Sequence, residues 1–200
     1  MARVIATVAV LCGVFAPQAQ AGLLVESAGS CAEQPLERPF LRWLDPFSYT
    51  LVPGGAFEGE ATGWTLAGSS VGAGNEPFLV RSRTDSGSLS LPAGSSATSA
   101  TLCVGLFHPT MRFFARSSGG SLLSTLQVDV LFETASGQVA SLPIGVVPAY
   151  RSWQPTLPAP VLANLLPLLP GAQTPVAFRF TPRGSANWTI DDVYVDPKRR

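Results

Sequence analysis

Hydrophobic and polar residues alternate along three stretches of this chain, residues 111–117, 124–133 and 175–181. Successive side chains of a β-strand point to opposite faces, so this alternation is typical of a strand with one buried face. We expect the three strands to lie in one sheet that buries its aliphatic and aromatic side chains. The opposite face would carry Arg112, Phe114, Arg116, Gln127, Asp129, Glu133 and Arg179.

Short runs of β-forming residues recur from Tyr49 onward and are separated by turn residues. The clearest pair is 124–133 with 139–147, because the segment between them contains Gly137 and has hairpin length. Strands at this spacing predict an all-β domain over residues 48–200, a two-sheet antiparallel β-sandwich. The runs are 64–67, 77–82, 88–91, 100–106, 110–117, 124–133, 139–147, 175–181 and 188–195.

The start of the chain differs from this pattern. Residues 1–21 combine Arg3, an apolar run over 4–15 and a small-residue cleavage site, which predicts a cleaved signal peptide and a secreted protein. A membrane anchor needs about 20 apolar residues, and the run over 4–15 is shorter than that, so we expect no membrane insertion. Residues 22–47 contain three prolines, which interrupt helices and central strands, and they predict an irregular arm.

The composition excludes several classes of protein. The chain is 46% hydrophobic and 13% charged, which excludes an unstructured acidic or basic tail. Its 13 basic and 13 acidic residues balance, so no long-range positive field would attract nucleic acid or anionic lipid. We therefore expect a globular domain with no nucleic-acid partner.

The cysteines indicate one covalent link. Cys12 would leave with the signal peptide, so Cys31 and Cys103 would remain as a pair in an oxidising compartment. We predict a disulfide between them, with two buried thiols or an intermolecular link as the alternatives. The only histidine, His108, has no partner at a metal-ligand spacing.

Several short motifs occur in a characteristic order along residues 48–196. They are Phe57-Glu58, Gly63-Trp64-Thr65, Asp85-Ser86-Gly87-Ser88-Leu89, Arg112-Phe113-Phe114-Ala115-Arg116, Trp153 and Trp188-Thr189-Ile190-Asp191-Asp192-Val193. Together they resemble the jelly-roll carbohydrate-binding modules of bacterial xylanases and cellulases, which are galactose-binding-like sandwiches. The resemblance implies a jelly-roll fold and a secreted, non-catalytic module for an extracellular or cell-wall carbohydrate.

The resemblance also implies a structural calcium ion between the first and last strands. The positions that match its ligands are the carbonyl of Ala56 and the carboxylates of Glu58, Asp85 and Asp191. Hard oxygen atoms of this kind are the ligands that Ca²⁺ prefers. The alternative is that Asp191 caps the final strand and Glu58 is solvated.

The resemblance places a glycan on the polar face of the sheet. Guanidinium groups beside carboxylates favour an acidic or hydroxyl-rich ligand over neutral cellulose. Tyr150, Arg151 and Trp153 would add a loop contact, with a place in the core as the alternative for Trp153. The alternative is an ordinary solvated face whose ion pairs stabilise the sheet. The predicted glycan-binding residues of the face are Arg112, Phe114, Arg116, Asp129 and Arg179.

Two further patterns bear on function. Gly68-Ser69-Ser70-Val71-Gly72 matches the nucleophile elbow of serine hydrolases, but no helix is predicted after it, so we do not expect an enzyme. The leucine-rich residues 162–169 are too apolar for an ordinary exposed loop. They favour an alternative function, a structural or adhesive envelope protein that self-associates through this segment.

Overall fold

The computed structural model describes residue 24 and residues 34–105, 110–134, 136–161 and 173–196. No helix in these ranges has the length and apolar character that crossing a membrane requires. Their regular structure is the 3-10 helix Leu41–Trp43 and strands β1 (Thr50–Leu51), β2 (Thr65–Ala67), β3 (Ser70–Ala73), β4 (Gly87–Leu91), β5 (Ser96–Thr98), β6 (Leu102–Gly105), β7 (Thr110–Ser118), β8 (Thr125–Glu133), β9 (Val139–Pro148), β10 (Gln154–Pro155), β11 (Ala159–Pro160), β12 (Gln173–Arg183) and β13 (Asn187–Val195).

The strands form two antiparallel sheets. The seven-stranded sheet has the order β10-β7-β13-β4-β3, with β1 added to β13 and β11 added to β7. The six-stranded sheet has the order β2-β5-β12-β8-β9, with β6 added to β12. This arrangement confirms the predicted all-β, two-sheet sandwich.

The hydrophobic core lies between the two sheets and uses the alternating positions of the sequence. From the seven-stranded sheet, Met111, Phe113 and Ala115 enter the core, and Phe178 and Phe180 enter it from the other sheet. The rings of Phe113 and Phe180 meet edge to face at 5.2 Å between centroids. The predicted buried faces are therefore confirmed.

The prediction that the three alternating strands share one sheet is wrong. Strand β7 pairs with β13 in the seven-stranded sheet, whereas β8 pairs with β12 in the six-stranded sheet. Alternation identifies the buried side of each strand, but it carries no information about which strand lies beside it. The outward side chains of β7 and of β8 therefore lie on opposite surfaces of the sandwich.

The predicted strand over residues 77–82 is also wrong, and a buried carboxylate explains it. Glu76 is fully buried, and its two side-chain oxygens accept hydrogen bonds from the backbone N–H groups of Phe78 and Val80. These bonds fold the segment into turns and remove the donors that a sheet would need. The short strands β1, β3, β5, β10 and β11 lie outside every predicted run.

The irregular arm covers part of the outer face of the seven-stranded sheet. Apart from the 3-10 helix, residues 34–49 hold only the β-bridge of Glu37 with Tyr49. The ring of Phe40 stacks on that of Phe114 at 5.4 Å, and both are fully buried with Tyr49 and Tyr194. The arm thus adds a second, aromatic core outside the sandwich.

The position of the arm bears on the predicted disulfide. The side-chain amide of Gln34 donates to the carbonyl oxygen of Cys103 at 3.2 Å. Cys31 lies outside the described residues, three positions before Gln34, so the bridge stays a prediction. Peptide mapping of the unreduced protein should yield a linked Cys31–Cys103 peptide. Alkylation of both thiols in the folded, air-exposed protein would contradict it.

Candidate functional site

The structure separates the predicted glycan-binding residues. Arg112, Phe114 and Arg116 point outward from β7, and Asp129 and Arg179 point outward from the other sheet. The hydrophobic core lies between the two groups, so no single ligand can contact all five side chains. The predicted composite site is therefore wrong as one surface, and each half needs its own assessment.

The outer face of the six-stranded sheet is a closed hydrogen-bond network. Arg179 binds the Asp129 carboxylate at 3.2 Å and the Ser141 hydroxyl at 2.8 Å. The Gln127 amide donates to Asp129 at 2.7 Å and accepts from Arg183 at 3.0 Å. These cross-strand contacts stabilise the sheet. On this face the structure matches the alternative of a solvated surface with ion pairs.

Arg112 and Phe114 are buried beneath the arm. The Arg112 guanidinium pairs with the Asp45 carboxylate, lies 4.3 Å from the Phe40 ring centroid and donates to the Thr156 carbonyl oxygen at 2.9 Å. Only 6% of Arg112 is exposed, and Phe114 is fully buried. Neither side chain is accessible to a glycan, because the arm covers the part of the outer face where the glycan was predicted to bind.

The half of the same face beyond the arm is open. Arg116 lies opposite Thr189 on β13, Thr189 lies opposite Ser90 on β4, and Ser90 lies opposite Ser70 on β3. All four side chains point outward and are partly or fully exposed. With strands about 4.8 Å apart, the row is about 14 Å long. We call Arg116, Thr189, Ser90 and Ser70 the Arg116 row.

Trp153 lies at one end of the Arg116 row. It immediately precedes β10, whose Gln154 pairs with Ala115, and the Arg116 guanidinium carbon lies 5.0 Å from the Trp153 ring centroid. Within the described residues, the Arg116 guanidinium makes no hydrogen bond or ion pair. Arg116 and Trp153 are therefore the two predicted ligand residues that the structure brings together at an open surface.

Tyr150 faces the core between the sheets and not the outer face that carries Arg116. Its backbone carbonyl accepts from the Ser117 hydroxyl at 2.9 Å, and its ring packs against the core between the sheets. Trp153 instead packs against the aromatic cluster under the arm. The predicted loop site of Tyr150 with Trp153 is not formed as one surface.

Sequence reasoning missed the hydroxyl side chains of the Arg116 row. Their signal was present, because Ser88 and Ser90 alternate with Leu89 and Leu91 in a strand that was predicted. Ser70 belongs to β3, which was not predicted. The row depends on strand order, and alternation within a strand does not give that order.

The predicted calcium ligands have other partners. The Glu58 carboxylate accepts from the backbone N–H groups of Ser86 and Gly87, both at 2.9 Å. Asp85 pairs with Arg81 at 3.5 Å, and Asp191 accepts from the backbone N–H of Glu76 at 3.0 Å. In the described part of the chain, no group of three His, Cys, Asp or Glu side chains could hold a metal ion. The carboxylates of Glu58, Asp85 and Asp191 are therefore not gathered into one cluster in the described chain, and calcium binding through them and the Ala56 carbonyl stays a prediction.

Burial governs the charge of the two aspartates in β13. Loss of solvent and the neighbouring Asp192 charge raise the pKa of Asp191 to about 9. Loss of solvent raises the pKa of Asp192 to about 8, although Arg81 opposes the rise. Burial therefore favours the protonated form of both carboxyls. Their native pKa values exceed the ordinary 3.8, so their contribution to stability is complete below about pH 4 and lost as pH rises through 8 and 9.

Comparison with known proteins identifies the fold. No family model and no curated protein matches the chain. The CBM22-1 and GH10 modules of Clostridium thermocellum endo-1,4-β-D-xylanase 10B, complexed with xylohexaose, match with a TM-score of 0.51 and 15% identity over 72% of this chain and 28% of that one. The xylan-binding CBM22-1 domain of Paenibacillus barcinonensis has a TM-score of 0.47 and 15% identity, over 72% and 93%.

These similarities concern the fold. The chain has the jelly-roll sandwich fold seen in the xylanase structure, as its motifs predicted. It spans 28% of the two-module xylanase structure that it matches. Among the described residues, the open surface that this fold presents on the seven-stranded sheet includes the Arg116 row.

Proposed function

We propose that this chain is a secreted, non-catalytic domain that binds an extracellular or cell-wall glycan along the Arg116 row. The observation that carries the proposal is the Arg116 guanidinium, which is held beside Trp153 and makes no hydrogen bond or ion pair within the described residues. The two other arginines of the predicted site already have carboxylate partners. Of these three arginines, Arg116 is the one whose donors have no hydrogen-bond partner within the described part of the chain.

The chemistry of the row favours a glycan that carries carboxylate groups. An arginine fork binds a carboxylate through two parallel hydrogen bonds, and its fixed geometry gives orientation as well as energy. Thr189, Ser90 and Ser70 supply hydroxyl groups that donate or accept, as sugar hydroxyls require. Trp153 adds an apolar ring surface at the end of the row. This combination suits an acidic or decorated polysaccharide better than plain cellulose.

A structural or adhesive envelope protein remains the second function that the sequence suggested. That proposal depends on self-association through residues 162–169, which lie outside the described residues. No contact, charge or exposed surface in the described chain favours it over glycan binding. The glycan proposal is therefore the one that the geometry supports.

Arg116→Ala should lower the affinity for an acidic polysaccharide by about tenfold or more, because it removes the only uncommitted guanidinium of the row. Wild-type affinity should be modest, about 10 to 100 μM, since an open polar site must be desolvated on binding. Affinity electrophoresis in gels containing polygalacturonate, acid-decorated xylan or cellulose measures the change. Arg116→Lys should recover only part of the affinity, because an ammonium group lacks the fork.

The matched control is Arg179→Ala. Arg179 is also an outward arginine on a central strand, but it lies on the opposite surface and is paired with Asp129. Its replacement should leave retention unchanged. Equal retention of wild type and Arg116→Ala would refute the site, and no retention of wild type on any polysaccharide would refute glycan binding itself.

A further inference from the structure

One end of the sandwich collects five of the connections between strands. The turns after β2, β4 and β12 meet there, since Ser69 bonds to Ser96 and Asn187 accepts from the Ala93 backbone N–H. The loop of residues 119–124 between β7 and β8 joins them, and Arg151, which follows β9, donates to the carbonyl oxygens of Gly119 and Gly120. We call this group of connections the loop end of the molecule.

The loop of residues 119–124 is held firmly by its neighbours. The Ser185 hydroxyl accepts from the Ser121 backbone N–H at 3.1 Å. The Ser124 hydroxyl accepts from the backbone N–H groups of Ser185 and Ala186 at 3.1 and 3.2 Å. Gly120 adopts φ 58° and packs so closely on the Ser185–Ala186 peptide that a side chain has no room there. The backbone of this loop is therefore fixed before any partner binds.

This fixed loop presents two leucines to solvent. Leu122 is 66% exposed and Leu123 is 91% exposed, although a hydrophobic side chain is ordinarily the part of a loop that folding buries. The other loop-end residues are chiefly Gly, Ser and Ala. Leu122 and Leu123 are therefore the main apolar side chains of a surface that otherwise consists chiefly of small or polar residues.

The charge at the loop end has one sign. Its connections, residues 68–69, 92–95, 119–124, 149–153 and 184–186, contain Arg151 and no Asp or Glu. Arg183, the last residue of β12, lies opposite Thr125 at the start of β8, two residues after Leu123. Arg151 and Arg183 thus lie near the two exposed leucines, and the connections of the loop end contain no acidic residue.

We propose that Leu122 and Leu123 dock the loop end onto an anionic lipid surface. Leucine side chains partition into the boundary between head groups and acyl chains, and nearby arginines attract anionic head groups. The contact would be interfacial and reversible, without a spanning segment. Because the loop is already rigid, little conformational entropy would be lost when the leucines enter the lipid.

A second copy of the chain fits this surface less well. A stable protein interface buries roughly 1,200 Å² or more in total, and two leucines on a polar tip supply a small part of such an area. A symmetric contact between two loop ends would also bring Arg151 and Arg183 of one copy toward those of the other. A lipid surface needs no complementary pocket and carries the opposite charge.

The experiment uses mature protein recovered from the medium of a secreting host, with its first residue determined, so that the apolar residues 4–15 cannot contribute. Wild type should sediment with vesicles of phosphatidylcholine containing about one third phosphatidylglycerol, and less with phosphatidylcholine alone. The double variant Leu122→Ser with Leu123→Ser should bind about tenfold more weakly. High salt should weaken wild-type binding, because it screens the arginines.

The matched control is Leu44→Ser, which removes a leucine that is 92% exposed on the arm. It should bind vesicles as wild type does. Failure of wild type to sediment, or equal binding by the double variant, would overturn the proposal. Concentration-dependent dimerisation that the double variant abolishes would assign the leucines to a second copy instead. Polysaccharide retention should be unchanged in the double variant, which separates this inference from glycan binding.

Discussion

Asp45→Ala should destabilise the protein by about 3 to 5 kcal/mol, since it leaves the buried Arg112 charge without its carboxylate. The same carboxylate accepts from the Tyr49 hydroxyl at 2.7 Å and from the Phe47 backbone N–H at 3.2 Å. The substitution therefore also leaves these two donors without their acceptor. Urea unfolding followed by tryptophan fluorescence measures the loss as a shift of the midpoint at unchanged slope.

Two variants show whether burial causes this effect. Asp85→Ala breaks the more exposed ion pair with Arg81 and should cost less than about 1 kcal/mol. Asp45→Ala combined with Arg112→Met removes both charges and should be more stable than Asp45→Ala alone, because no unpaired charge stays buried. If Asp45→Ala and Asp85→Ala cost the same, the arm does not seal the pair from water.

Gly87→Ala should destabilise the protein by about 3 kcal/mol, near the upper end for an overpacked site. A Cβ at Gly87 would lie 3.0 Å from the Phe57 carbonyl carbon and closer still to its oxygen. Phe57 has φ 54° and is buried, so it has little freedom to move away. The displacement would also disturb the hydrogen bonds that Glu58 receives from Ser86 and Gly87. Thermal unfolding measures the change.

Gly72→Ala is the corresponding control on the adjacent strand. Gly72 pairs with Ser88, and a Cβ there would meet no atom within 4 Å. Its replacement should change stability by less than about 1 kcal/mol, with a small gain expected from the stiffer unfolded chain. Equal losses in the two variants would mean that the closeness of Phe57 to Gly87 is not what limits the position.

The fold was predictable because its strongest signal is local. Alternation in residues 111–117 and 124–133 identified the core-facing side of each strand, which the structure confirms at Phe113 and Val128. The motifs containing Phe57, Gly87 and Trp188 predicted the sandwich type; in the structure Gly87 packs on Phe57, and Phe57 and Trp188 belong to the same core. Each of these predictions rests on short stretches of sequence and requires no knowledge of which strands pair.

The site was harder to predict because it depends on pairings that are distant in sequence. Arg112, Arg116 and Arg179 look equivalent in the sequence, since each occupies an outward strand position. Their states differ because Asp45 reaches Arg112, Asp129 reaches Arg179, and no carboxylate reaches Arg116 in the described chain. The prolines of the arm predicted irregular backbone, but they gave no sign of the surface on which the arm would pack.

The position of β13 has a consequence for how the chain folds. Strands β1, β4 and β7 all pair with this one strand, whose Val195 lies opposite Thr50. The Tyr194 hydroxyl reaches Glu37, 157 positions earlier. Pairings of such long range fold slowly, because the chain must close large loops before any contact stabilises them.

During synthesis the other strands of the seven-stranded sheet therefore precede β13, the partner that three of them share. The hairpin of β8 and β9 is local and can form early, whereas β4 and β7 keep one exposed edge until residues 187–195 arrive. Unpaired edges of this kind are the parts of a nascent chain that associate with other chains. The arrival of β13 thus ends the interval in which these edges are exposed and the chain is most prone to aggregate.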